Sequence, residues 1–273
     1  MKRRGQYGGQ GGFKAESAIP LVLIAILAIF LAAKFNILPV ENIPILNQIL
    51  PSHDIKVGVF GNPSDELRAL IGSSEFQGPA GIAVRPIYED RLDYAAKYIV
   101  RGVDVIILSG EQYCDREFRK AVTNRVKGGA SLIVIGDACT RVRGDNTALG
   151  WNIGENLLGS IMPVEIGGLT TRREPIRTEF PAGQIRIVNA DHPIFAGIYD
   201  FAFAGAVIEV TPKSNADVLA QVDTGPGQRN LYAIVEGRSF PSGKVIYYAF
   251  DPAAAHASNM FKNTILYLVQ RQG

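Results

Sequence analysis

The stretch VDVIILSGEQYCDREFRKAVTNRVKGGASLIVIGD, residues 103–137, decides the fold. Its two flanks, VDVIIL and SLIVI, are apolar at consecutive positions, so both faces of each strand must be covered. That is the pattern of a parallel sheet with helices on each side. Between the flanks, DREFRKAVTNRVKGG reads as a helix closed by a double glycine. Upstream the same alternation recurs. IKVGVF (55–60) runs into Gly61-Asn62-Pro63-Ser64 and the helical DELRALIG, a strand, turn and capped helix. GIAVRPI (81–87) is followed by DRLDYAAKYIV. The first half therefore predicts a doubly wound, mostly parallel α/β sheet.

Downstream the regularity loosens. ALGWNIGENLLG (148–159) reads as helical, and QIRIVNA, AVIEVTP, DVLAQV, LYAIVEG and KVIYYAF between 161 and 250 read as short strands with turn residues between them. These are expected to be antiparallel, edge-like additions. The final SNMFKNTILYLVQ (258–270) has apolar residues at 260, 261, 265, 268 and 269, a helical stripe to pack on the sheet.

The N-terminal quarter has another character. Residues 1–17 contain the low-complexity GQYGGQGG and are expected to form a flexible tail. From Ala18 to Ala33 there is no charge. Sixteen residues rise about 24 Å against a hydrocarbon core near 30 Å, so Lys34 must snorkel while Phe35 to Leu38 complete a transmembrane helix over 18–38. Lys2, Arg3, Arg4 and Lys14 on one side, against Lys34 on the other, predict a cytoplasmic N-terminus and an external domain. A signal peptide cleaved after Leu31-Ala32-Ala33 is the rival, and it also places the domain outside. Residues 39–54 carry three prolines, which exclude a continuous helix and predict a broken linker to a domain over 55–273.

With 47% hydrophobic and 20% charged residues the 273-residue chain has a globular composition. The formal charge is +2, and much of the excess sits in the N-terminal tail, so no broad basic face for nucleic acid is expected. Three histidines and two cysteines lie far apart without zinc spacing, the Gly61-Asn62-Pro63-Ser64 turn lacks the lysine of a phosphate loop, and there is no dinucleotide fingerprint. No metal and no cofactor are expected. The arginines at 141, 143, 172 and 173 read as a local, solvated rim.

Several segments together resemble the class I glutamine amidotransferase-like fold, which is flavodoxin-like. The likeness is greatest to its non-amidotransferase relatives, the ThuA-like proteins and a domain of some β-galactosidases. The strand, helix, Gly128-Gly129 and strand of 103–137 resemble that fold's central unit. Asp191-His192-Pro193-Ile194-Phe195-Ala196-Gly197-Ile198 resembles its HPI-x-x-G turn, and Gly243 to Asp251 resembles its closing strand. A shared fold does not give a function.

Ligands of open parallel sheets bind beyond the carboxyl ends of the strands, where this chain has Asp137, Cys139, Asp251 and His256. Active glutamine amidotransferases place a nucleophilic cysteine in G-x-C-x-G and activate it through H-x-E. Here Cys139 comes one position late and lacks the second glycine, while His256 is followed by Ala257 and Ser258. A Cys139–His256 pair assembled by folding stays open as an alternative. Asp137 and Asp251 either meet across the strand ends or each cap the next helix, and capping is favoured. His192 reads as a turn residue bonded to backbone. In the resembled fold the strands preceding Cys114 and Cys139 are neighbours, so the resemblance allows a Cys114–Cys139 disulfide, with free thiols as the alternative.

The expectation is a catalytically inactive, membrane-anchored binding or assembly module of the cell envelope. It would meet lipid through 18–38 and a protein partner through the domain, with its oligomeric state open. The alternatives are an extracytoplasmic hydrolase acting on a small molecule or carbohydrate, and a substrate-binding accessory of a transport system.

Overall fold

A computed structural model describes residues 55–73, 76, 84–152, 158–225, 230–238, 243–255 and 257–269. These all fall within one compact unit, His53–Gln272. The tail, the 18–38 segment, the linker, the 31–33 cleavage point and His256 lie outside the described residues. Among the described residues no helix is long and apolar enough to cross a membrane.

The chain builds strand β1 (Ile55–Gly61), helix α1 (Asp65–Gly72), β2 (Val84–Glu89), α2 (Ala96–Val100) and β3 (Val105–Ser109). The short β4 (Tyr113–Cys114), α3 (Arg116–Lys127) and β5 (Ser131–Ile135) come after them. Ser64 caps α1 by accepting from the Leu67 amide at 3.1 Å, and Asp65 and Glu66 in its first turn complement the helix dipole. Next come β6 (Arg141–Val142), β7 (Asp145–Leu149), a 3-10 turn (Leu158–Ser160), β8 (Val164–Ile166), β9 (Arg177–Ile187) and a second 3-10 turn (Pro193–Phe195). The last elements are β10 (Phe201–Ile208), β11 (Val210–Pro212), β12 (Ala216–Asp223), β13 (Leu231–Arg238), β14 (Lys244–Tyr248) and α4 (Ser258–Val269).

Nine strands form one sheet in the order β10-β9-β12-β13-β14-β5-β3-β1-β2. From β2 to β14 the neighbours run parallel, and from β14 to β10 antiparallel. The sheet is thus mixed, not mostly parallel: the added strands continue it as hairpins for four strands beyond β14. Small sheets of β4-β6-β7 and β8-β11 lie apart. The described residues of the 148–159 stretch depart from its helical reading, and 153–157 lie outside the described residues. Residues 145–149 are strand, Gly150 turns with φ +96°, and Leu158–Ser160 form a turn of 3-10 helix.

The two faces of the parallel half are told apart by consecutive tyrosines, because neighbouring side chains on a strand point to opposite sides. Tyr248 faces α4, where its hydroxyl meets Thr264 Oγ1 at 2.5 Å. Tyr247 faces the other side, where its ring forms a T-shaped pair with Trp151, centroids 5.7 Å apart. Trp151 is in turn held to α3, since Arg119 Nη2 donates to the carbonyls of Gly150 at 3.0 Å and Trp151 at 2.9 Å. β3 and β5 are buried at every position, as helical cover on both faces requires.

Candidate functional site

Three chain turns meet at the carboxyl ends of β3, β5 and β14. After β5, Gly136 (φ +64°) and Cys139 (φ +57°) adopt left-handed conformations, which fold 136–139 into a tight turn. The Cys139 amide donates to the Glu111 carbonyl at 2.9 Å, and the Arg141 amide to that of Gln112 at 2.8 Å. The β3 and β5 exits are thereby stitched together, and β4 pairs with β6 so that Cys114 sits opposite Val142. At this junction Cys114 and Cys139 are joined by a disulfide, with α-carbons 5.2 Å apart and both residues fully buried.

Asp137 caps no helix. Its Oδ2 accepts from Gln112 Nε2 and, at 2.7 Å, from Arg177 Nη2. Its carbonyl takes the Thr140 amide at 3.2 Å and hydroxyl at 2.7 Å. Beneath this pair lies Tyr247, fully buried, with its hydroxyl unpartnered. Burial pushes the Tyr247 phenol well above its ordinary value; the Asp137 charge adds to the rise and Arg177 offsets part of it. Trp151 Nε1 donates to the Ala138 carbonyl at 2.9 Å and closes the side of the cluster. Arg119, on α3, has Nε and Nη1 without partners, and burial lowers its guanidinium to about 10.

Asp251 is turned elsewhere. Its Oδ1 accepts from the Ala253 and Ala254 amides at 2.9 and 3.4 Å, which makes it the cap of its own turn. The two aspartates therefore serve different partners. The start of β9 and the end of β10 pack against the strand exits after β5 and β14. The Ile208 amide donates to the Ala249 carbonyl at 2.9 Å, and a β-carbon on Gly136 would meet Ile208 Cγ1 at 3.9 Å. Arg177 is delivered to Asp137 by this hairpin, being paired with Ile208.

A second buried polar group lies between β13 and α4. Glu236 Oε1 accepts from Tyr267 Oη at 2.6 Å, and Glu236 Oε2 lies 3.3 Å from His192 Nε2. His192 Nδ1 accepts from the Ile194 amide at 3.4 Å, so this histidine is a turn residue bonded to backbone. Sequence reasoning missed Arg177, Gln112, Arg119 and Glu236. Only Glu236 left a signal, as the one charge in the apolar run LYAIVEG.

The arginine rim is dispersed into separate contacts. Arg141 donates to the Arg173 carbonyl at 2.8 Å, and Arg143 lies 3.7 Å from Asp115. Among the described residues no group of three or more histidine, cysteine, aspartate or glutamate side chains is placed to hold a metal ion.

No family model matches the chain, and no curated protein sequence matches it. Solved structures do. A cytoplasmic protein of Salmonella typhimurium LT2 superposes with a TM-score of 0.55 at 15% identity, over 78% of this chain and 99% of that one. A putative ThuA-like protein of Bacteroides uniformis gives 0.54 at 10% identity, over 81% and 93%. A β-galactosidase of Bacillus circulans sp. alkalophilus gives 0.52 at 12%, over 77% of this chain but 31% of the enzyme. At such identities the likeness shows the fold alone, an α/β fold shared with a ThuA-like protein.

Proposed function

We propose that this chain is a non-catalytic member of the class I glutamine amidotransferase-like superfamily, anchored in a membrane by residues 18–38, that acts as a binding or assembly module of the cell envelope. The observation that carries the reading is the Cys114–Cys139 disulfide. The chain has two cysteines and both are in the bond, so no thiolate nucleophile is available while it is oxidised. Such bonds persist in oxidising compartments, which suits a domain held outside the cytoplasm by an N-terminal anchor. Asp251 spends its carboxylate on its own turn, and Asp137 is neutralised by Arg177.

The rival is an extracytoplasmic hydrolase, and it draws on one observation: an unpartnered tyrosine hydroxyl beside a carboxylate at the strand ends. The test is turnover by the full chain, purified without reductant, of glutamine and of chromogenic esters and glycosides. Wild type, Cys139→Ala and Asp137→Asn are expected to be indistinguishable from buffer. Turnover that either substitution abolishes would overturn the non-catalytic reading in favour of the hydrolase.

A further inference from the structure

Charge on the unit is sorted along the strand direction. At the carboxyl ends of the parallel strands, acids and bases are interleaved. Arg116 Nη2 lies 3.1 Å from Asp145 Oδ2, Arg143 pairs with Asp115, and Arg177 pairs with Asp137. At the amino ends the described side chains are mostly cationic. Lys56 stands exposed at the start of β1, Arg101 just past the end of α2, and Lys127 at the end of α3. Arg125 and Lys244 join them, tied to the carbonyls of Val103 and Tyr267. Asp104 is the carboxylate among the described residues at this rim, and it is occupied by the Lys56 amide at 3.1 Å and by Arg125 Nη2 at 3.9 Å.

Helix dipoles account for Arg125 and Lys127, since cations complement the carboxyl end of a helix. They do not account for Lys56, which belongs to a strand. Next to the rim, α2 and the turn before it carry exposed aromatic rings: Lys97 Nζ lies 3.2 Å from the Tyr94 ring centroid, and the Arg101 guanidinium lies 5.5 Å from that of Tyr98. Tyr98 is 57% exposed. Tyrosine rings beside cations are the side-chain pair that suits the headgroup level of a bilayer. The chain also enters the unit at this rim, through Ile55.

We propose that the rim formed by Lys56, Arg101, Lys127 and Tyr98 is a docking surface for the anionic phospholipid headgroups of the membrane in which the chain is anchored. The proposal rests on the anchor reading above. Residues 39–54, if extended, reach roughly 50 Å, so a tether alone leaves the domain free to turn. Cations within about 8 Å of an anionic leaflet would set which end faces the bilayer, because charge attraction at physiological salt extends about that far. The strand-end cluster of Asp137 and Arg177 would then point away from the lipid, toward whatever partner the module meets.

The test uses the full chain carrying Tyr98→Trp in nanodiscs whose lipids have brominated acyl chains. Trp151, the one native tryptophan, is 2% exposed and supplies a constant background. With about 30% phosphatidylglycerol the introduced indole is expected to be quenched about twofold. The quenching should vanish in phosphatidylcholine alone, in about 0.5 M salt, and on adding Lys56→Glu, Arg101→Glu and Lys127→Glu. Equal quenching in both lipids, or none in either, overturns the proposal. Alkaline carbonate extraction separates the two readings. A chain that stays in the membrane but shows no charge dependence defeats the rim alone, whereas a released chain defeats the anchor. The released chain is then mixed with the same lipids as vesicles, where charge-dependent quenching supports the rim and its absence rejects it.

Discussion

Arg177 and Asp137, forty residues apart in the chain, meet with Nη2 2.7 Å from Oδ2, and this contact fastens the β9–β10 hairpin to the turn after β5. The pair is asymmetric: the Arg177 side chain is 49% exposed and that of Asp137 10%. Solvent screens the arginine end, so Arg177→Ala is expected to cost about 0.5–1 kcal/mol. Asp137→Ala strips the acceptor from both Arg177 and Gln112 in a mostly buried position and should cost about 2 kcal/mol. Urea denaturation of the two variants checks the order, and a larger loss for Arg177→Ala would mean that the hairpin, not the carboxylate, carries the contact.

The Cys114–Cys139 bond closes a loop of 25 residues. A loop of that length confers about 3 kcal/mol through the unfolded chain. For a domain of this size that corresponds to roughly 6–12 °C in Tm. Cys114→Ala with Cys139→Ala should therefore melt lower by that amount, and dithiothreitol should leave the double variant unchanged while lowering wild type. A wild-type Tm indifferent to reductant would show that the thiols are unpaired in solution.

Much of this architecture can be read from residues 103–137, because parallel strands buried on both faces must be apolar at every position and leave no ambiguity of period. The closing strand KVIYYAF and the final helical stripe are legible for the same reason. The stretch around Trp151 is not. Its leucines and alanine suit a helix by composition, but β7 is held by pairing with β6, and that contact is tertiary. The site was half legible. Asp137 and Asp251 come after strands and can be found by that rule, yet it treats them alike. Only the fold shows that Asp251 serves its own turn while Asp137 is met by Arg177, which arrives on a hairpin from a distant segment. Arg119 sits in an amphipathic helix, where nothing in the spacing distinguishes it from a surface charge, and it is 3% exposed.

Glu236 is fully buried and bridges His192 and Tyr267, so its carboxylate joins the HPI turn to the last helix through β13. Glu236→Gln keeps the shape and one acceptor oxygen and should cost about 1 kcal/mol. Glu236→Ala removes the acceptor of both His192 and Tyr267 at a fully buried position and should cost about 3 kcal/mol or more. Chemical denaturation resolves the difference. Equal losses for the two variants would mean that packing rather than hydrogen bonding sets the cost at this position.

Tyr247 and Tyr248, adjacent on β14, make opposite predictions from equal burial. Tyr248 shares a hydrogen bond with Thr264, and Tyr247 has no partner for its hydroxyl. Tyr248→Phe should lose about 1 kcal/mol, whereas Tyr247→Phe removes an unsatisfied polar atom and should be neutral or stabilising. Both phenols are pushed above 10 by burial, so the folded state keeps their protons while the unfolded chain releases them. Their contribution is complete below pH 10 and is lost as pH rises toward the folded values, because there the native state binds more protons than the unfolded one. Arg119 acts in the opposite sense. Held to about 10 in the fold, it binds fewer protons than the unfolded arginine above that pH and offsets part of the loss. Stability measured from pH 8 to 11.5 should therefore fall less steeply in either tyrosine variant than in wild type, and more steeply in Arg119→Met. A wild-type slope retained in both tyrosine variants would show that alkaline unfolding begins elsewhere in the molecule.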